Sequence, residues 1–125
     1  EVLELRHDGE DYVREIALRL PSDGRVVEYG VAKLHLCAIP PAAREEILER
    51  GRPLGEVLIR HNVLRRIEPT GFWRFLRSAA LRDRVGRPVE VAYGRTGVIY
   101  CDGEPAIELL EVVIDPDRPD PIRNA

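Results

Sequence analysis

The sequence predicts an α+β domain: an antiparallel β-sheet with helices packed on one face. Three observations predict it. Hydrophobicity alternates with period two towards both ends of the chain, and the central third changes to helical spacing. Each alternating stretch also has a turn sequence at its middle, Pro21-Ser22-Asp23-Gly24 in the first and Asp102-Gly103 in the second. Hairpin, helices, hairpin is the order of an antiparallel sheet, not of repeated parallel crossovers. At 125 residues and 44% hydrophobic the chain is one domain's worth, able to bury a core of its own.

The elements follow in order. Glu1 to His7 alternates weakly. Tyr12 to Leu20 alternates well, placing Tyr12, Arg14, Ile16, Leu18 and Leu20 on one face and Val13, Glu15, Ala17 and Arg19 on the other. After the turn, Arg25 to Leu36 returns as a long strand with Tyr29 and Gly30 at its middle. Pro40-Pro41 opens a short helix over Ala42 to Arg50 that turns Ile47 and Leu48 inward and ends at Gly51. Pro53 opens a second, through Leu54, Val57, Leu58 and His61, with Asn62 as its stop. Val63 to Leu76 begins like a strand and runs into the aromatic cluster Phe72, Trp73 and Phe75, which the sequence assigns to core packing. Ser78 to Val85 is a short helix or loop. Val89 to Cys101, Asp102-Gly103 and Pro105 to Ile114 form the clearest hairpin of the chain. Residues 1–116 thus form a single domain, and 117–125 a Pro/Asp-rich tail.

Composition excludes several classes. The net charge is −3 with 22 acidic and 19 basic residues, against a general nucleic-acid binder. No apolar run approaches a membrane span, so the chain is expected to be soluble and cytoplasmic, without a membrane partner. It opens at Glu1 inside a strand-like run, as a portion of a longer polypeptide would. Cys37 and Cys101 are too few for a disulfide framework or a zinc site and read as buried thiols. His7, His35 and His61 lack metal-ligand spacing, so no metal or cofactor is expected. Ser22 and Ser78 sit in turn and helix-start contexts, not a nucleophile elbow, and Arg52-Pro53-Leu54-Gly55 is not a phosphate loop. Any catalysis would work by positioning and electrostatics.

Of the basic residues 18 are arginine and Lys33 is the lone lysine. Most read as solvated surface and compositional bias. Arg14 and Arg95 are different, as is Glu111, because they fall on faces that should be apolar: Arg14 with Tyr12 and Ile16, Arg95 with Val91, Tyr93 and Ile99, and Glu111 with Ile107, Leu109 and Val113. Unpaired buried charge is costly, so these residues sit on an exposed strand, pair internally, or line a pocket for a charged ligand. Glu108 lies on the other face of its strand, and a β-bulge would exchange it with Glu111.

These residues resemble the chorismate lyase (chorismate–pyruvate lyase) family. Val13-Arg14-Glu15-Ile16-Ala17-Leu18 is similar to its Arg-Glu-hydrophobic strand, and Tyr29-Gly30 to the small residue of its next strand. Pro53-Leu54-Gly55 with Val57-Leu58 resembles its Pro-Leu-Gly helix start. Tyr93-Gly94-Arg95 through Asp102-Gly103-Glu104-Pro105 resembles its Gly-Arg strand and Gly-x-Pro turn. Glu111-Val112-Val113-Ile114 resembles its final glutamate and apolar run. The likeness covers about residues 12 to 116. Where relatives often carry a polar or basic residue after the small residue of the second strand, this sequence has Val31, with Lys33 the nearest cation. Glu111 stands one residue farther from Pro105, and the relatives' pocket-closing N-terminal segment has no counterpart here.

The resemblance implies a chorismate lyase-like fold, with the ligand between sheet and helices. It implies conversion of chorismate to 4-hydroxybenzoate and pyruvate without cofactor or metal, in bacterial aromatic-acid biosynthesis. Arg14 and Glu111 would be catalytic. Arg14 would hold the ring carboxylate, the Gly30 and Leu54 backbones would line the pocket, and a protonated Glu111 would face the enolpyruvyl ether. Arg95 would be a second anchor, for the pyruvyl carboxylate or for Glu111. Two other readings stand beside it. One is a non-catalytic aromatic-acid sensor, as in effector-binding domains of bacterial transcription regulators, needing Arg14 but not Glu111. The other is a degenerate partner protein using Phe72 and Trp73 as an interface. The oligomeric state is left open.

Overall fold

A computed structural model describes residues 2–114, with side chains from residue 7 onward. The expected tail, 117–125, lies outside the described residues. The fold is α+β: a six-stranded antiparallel sheet and three helices. In chain order these are β1 (Val2–Asp8), β2 (Asp11–Arg19), β3 (Val26–His35), α1 (Pro41–Glu49), α2 (Leu54–Arg60), β4 (Arg65–Leu76), α3 (Ala79–Val85), β5 (Val91–Cys101) and β6 (Glu104–Val113). The strand order β1-β2-β3-β6-β5-β4 makes two three-stranded meanders that meet along β3 and β6.

The turns follow from their residues. Asp102 and Gly103 both take positive φ, 50° and 86°, the backbone that a two-residue hairpin requires. Asp102 Oδ1 also accepts from the Leu64 N–H at 2.9 Å, tying the hairpin tip to the start of β4. Ser78 caps α3 by accepting from the Leu81 N–H at 3.2 Å, and Gly86 ends that helix in the left-handed region. Asn62 takes the left-handed turn after α2 as expected. At the end of α1, by contrast, Arg50 and not Gly51 adopts it, with φ 61°.

Two cores form, one on each side of the sheet. Ala43 and Ile47 of α1 and Val57 and Leu58 of α2 pack on Tyr12, Ala32, Leu34, Ile99 and Ile107. Leu81 and Val85 of α3 pack with Ala17, Tyr29, Leu110, Val112 and Ala92, the alternate residues of the same strands. The expectation that all helices share one face therefore holds for α1 and α2 and is corrected for α3. The reason lies on β2. Glu15 is buried on the reverse face, its carboxylate accepting from Arg84 of α3 at 2.7 Å. A strand with apolar residues on both sides needs cover on both.

Two further expectations are corrected. Phe72 and Trp73 are more than half exposed, because β4 is an edge strand paired only with β5 and no helix covers it. Only Phe75 of that cluster joins a core. Cys37 is exposed in a 3-10 turn at Leu36–Ala38, where the extended backbone has already ended; Cys101 is buried as expected. Among the described residues no helix is long and apolar enough to cross a membrane.

Candidate functional site

Cross-strand register decides which side chains meet. Arg14 on β2 stands opposite Ala32 on β3, which stands opposite Leu109 on β6 and then Gly97 on β5. The next row on the same face runs Ile16, Gly30, Glu111, Arg95 and Phe72. These two rows lie beside the α1–α2 core, at the edge of the helices' cover. A cavity of about 260 Å³ opens there. Its floor is Gly30, Ala32, Leu109, Gly97 and Ile99, its roof is Leu54 and Gly55 at the start of α2, and Ile16, Ile67, Arg65, Arg95 and Glu111 complete it. The lining is predominantly apolar, with Arg65, Arg95 and Glu111 as its charged groups, the usual make-up of a small-ligand site. The volume falls just below the roughly 300–1,000 Å³ of such sites, which suits a single six-membered ring with its substituents.

Glycines keep the floor clear. A Cβ on Gly30 would press on the Leu110 carbonyl oxygen at 3.3 Å, and one on Gly97 on the Glu68 carbonyl oxygen at 3.1 Å. A side chain at either place would crowd the neighbouring strand as well as the cavity.

Arg14 is fully buried, the largest such side chain among the described residues. Its Nε, Nη1 and Nη2 have no hydrogen-bond partner among the described residues, and neither has the hydroxyl of Tyr12 on the same face. Burial pulls the guanidinium below its ordinary pKa, with the Tyr12 phenol partly opposing the shift. Arginine nevertheless keeps its proton, so the interior holds a cation with no counter-charge bonded to it among the described residues. Arg14 stands behind the cavity wall: Ile16, two residues along β2, and Ala32, directly across from it, both line the cavity.

No family model and no curated protein matches the chain.

Of the residues singled out in the sequence, Gly30, Leu54, Arg95 and Glu111 line the cavity; Arg14 is not among its lining residues and adjoins it only through Ile16 and Ala32. The two glutamates are now distinguished. Glu111 is on the cavity face, while Glu108 is on the reverse, near Lys33 and Val98. The β5–β6 bulge lies nearer the hairpin, opposite Ile99 and Tyr100 with Ala106 as its additional residue, and leaves Glu108 and Glu111 in regular register beyond it. The environment of Glu111 is corrected. An apolar enclosure holding a protonated acid was expected; instead Glu111 Oε2 accepts from Arg95 Nε at 2.9 Å, and both side chains are about half exposed. They occupy the rim because neither α1 nor α2 extends over that row.

The sequence reading missed Arg65. It lies at the start of β4 at period two between Val63 and Ile67, the alternation that could have marked it, and reaches the cavity because β4 pairs with β5, Arg65 standing opposite Cys101. The histidines serve structural contacts: His35 Nδ1 bonds Asp11 at 2.9 Å, and His61 Nε2 bonds Glu46 at 2.5 Å. Among the described residues no three His, Cys, Asp or Glu side chains gather to hold a metal ion.

Proposed function

We propose that this domain binds an aromatic carboxylic acid between its sheet and α2, and that it acts as a cofactor-independent lyase on chorismate, releasing 4-hydroxybenzoate and pyruvate. The observation that carries the reading is Arg14, a fully buried guanidinium whose three nitrogens lack partners among the described residues, behind the wall of an apolar, ring-sized cavity. A ligand carboxylate supplies the compensation that the fold withholds, by a bidentate charge-assisted contact. The resemblance of five ordered segments to chorismate lyases supplies the reaction.

In that reaction the bond between ring C3 and the ether oxygen breaks and the ring loses its C4 hydrogen. The enolpyruvyl methylene gains a proton, so that atoms balance and no redox partner is needed. Aromatisation drives it. The ring stacks on the glycine floor with its carboxylate toward Arg14. The ether oxygen then lies toward the Arg95–Glu111 pair. Since Glu111 is an ion-pair acceptor, the N–H donated to the departing oxygen comes from Arg95, which Glu111 orients.

A second reading, binding without turnover, is favoured by one observation: the Arg95–Glu111 pair satisfies itself and is about half exposed, where charge stabilisation is weakened by water. One experiment separates them. Purified protein is mixed with chorismate and pyruvate is followed by a coupled assay, with 4-hydroxybenzoate binding measured in parallel. Release above the spontaneous rate is expected, and its absence alongside tight 4-hydroxybenzoate binding would establish the sensor. Arg14→Ala should weaken binding by about 2–5 kcal/mol, roughly 30-fold or more. Glu111→Gln should lower the rate more than the affinity. Equal, small effects of both substitutions would place the ligand elsewhere.

A further inference from the structure

Two arginines line the cavity itself, in front of the buried Arg14, and they differ in what holds them. Arg95 donates to Glu111 at 2.9 Å, so its charge is already balanced. A second anion brought to Arg95 would meet the Glu111 carboxylate as well. Arg65 has no ion pair and no side-chain hydrogen bond among the described residues. Its neighbour Arg66 shows the contrast: Arg66 pairs with Glu68 at 2.9 Å and lies 4.1 Å over the Tyr100 ring. Of the two consecutive arginines, the one on the cavity face is left unpaired.

Gly55 explains how Arg65 is held there. A Cβ built on Gly55 would fall 2.7 Å from Arg65 Nη1, so the guanidinium lies directly on the glycine at the cavity roof. Any side chain at position 55 would displace it. Gly55 thus has a role beyond starting a short helix, which other residues could fill.

We infer that Arg65, seated on Gly55, is a second anion-binding group of the cavity, making its preferred ligand an aromatic or cyclic dicarboxylate and not a monocarboxylate. Arg14 takes the ring carboxylate and Arg65 the carboxylate of the side arm. This rests on the reading of the cavity as an aromatic-acid site and replaces Arg95 as the second anchor. It also gives a direction to turnover: once the side arm leaves, the remaining monocarboxylate loses one of its two ionic contacts and dissociates more readily. Because Arg65 is exposed, its contribution is screened by salt, whereas the contribution of Arg14 is not.

The test uses two unreactive probes and calorimetry: 4-hydroxybenzoate, with one carboxylate, and 3-(carboxymethoxy)benzoate, with two. The wild type is expected to bind the dicarboxylate more tightly, by an excess that shrinks as ionic strength rises. Arg65→Gln should weaken the dicarboxylate about tenfold, the scale of one charge-assisted hydrogen bond, and leave 4-hydroxybenzoate within about twofold. Arg65→Lys should recover part of the loss. Gly55→Ala, which leaves Arg65 in the chain but pushes it off its seat, should show the same selective loss. If Arg65→Gln weakens both probes equally, or neither, the second subsite is wrong while the aromatic-acid site stands. If the wild type binds neither probe, the aromatic-acid reading falls and this inference with it.

Discussion

A fully buried arginine without partners is a liability to folding that a surface arginine is not. In Arg14 the guanidinium loses its hydration and has, among the described residues, only the neighbouring Tyr12 phenol to set against that loss. Replacing it with an apolar residue of similar length should therefore stabilise the domain while removing its function. Arg14→Met is expected to gain about 1–4 kcal/mol, read as a higher denaturant midpoint at unchanged slope, and to abolish 4-hydroxybenzoate binding. A fall in stability would mean that Arg14 has a structural partner and would remove the main support for the site. The charge itself was legible in the sequence, since alternation put Arg14 between Tyr12 and Ile16. Its lack of a partner among the described residues was not, because alternation does not show that Glu111, a carboxylate on the same sheet face, pairs with Arg95 instead.

At the scale of elements, α3 is attached by a polar cluster as well as by Leu81. Glu15, on β2, is almost completely buried and pairs with Arg84 at the C-terminal end of α3. Burial, assisted by the Glu15 carboxylate and opposed by Arg84, pushes the Tyr29 phenol up to about 12 from 10.0. The folded state therefore favours the neutral phenol. That contribution to stability is complete below pH 10 and is lost as the pH rises through about 12. Absorbance titration at 295 nm should show one of the four tyrosines ionising about two units late, coincident with loss of α3. Arg84→Ala leaves Glu15 without its cation. Since Arg84 is itself about half exposed, the expected loss is about 1–2 kcal/mol by denaturation, below that of a fully buried pair. On the cavity side, Glu46 of α1 ties the two covering helices together, bonding His61 and also pairing with Arg52 and Arg60. Its carboxyl is held below the ordinary value, chiefly by His61 and despite desolvation, so the cover is secured above pH 4.5 and weakens below it.

For the whole molecule, the order of the sheet ranks the stability of its parts. β3 and β6 are central, hydrogen-bonded on both sides and covered on both faces, while β4 has one neighbour and exposes Ile67, Phe72, Trp73 and Leu76. Native-state amide exchange should therefore be slowest in β3 and β6 and fastest along the outer edge of β4. Equal protection of β4 would show that its edge is covered in solution. β4 also carries features that limit edge-to-edge pairing: Pro69, a bulge between Pro69 and Gly71, and the charges of Arg66, Glu68 and Arg74. The cavity borders this edge, and its Arg65 wall belongs to a less protected part of the fold than the Arg14 side.

Local rules were enough for the sequence to determine the α+β class, both long hairpins, the starts of α1 and α2 and the face of Arg14. Alternation, proline and the Asp-Gly turn act over a few residues and carry their meaning wherever the chain goes. Tertiary structure alone decided the rest. It set α3 against the reverse face through Glu15 and Arg84, left Phe72 and Trp73 exposed on an edge, and paired Glu111 with Arg95 at the rim. It also brought Arg65 from β4 onto Gly55 of α2. Each of these depends on which strand pairs with which and where a helix's cover stops, and those are properties of residues far apart in the chain.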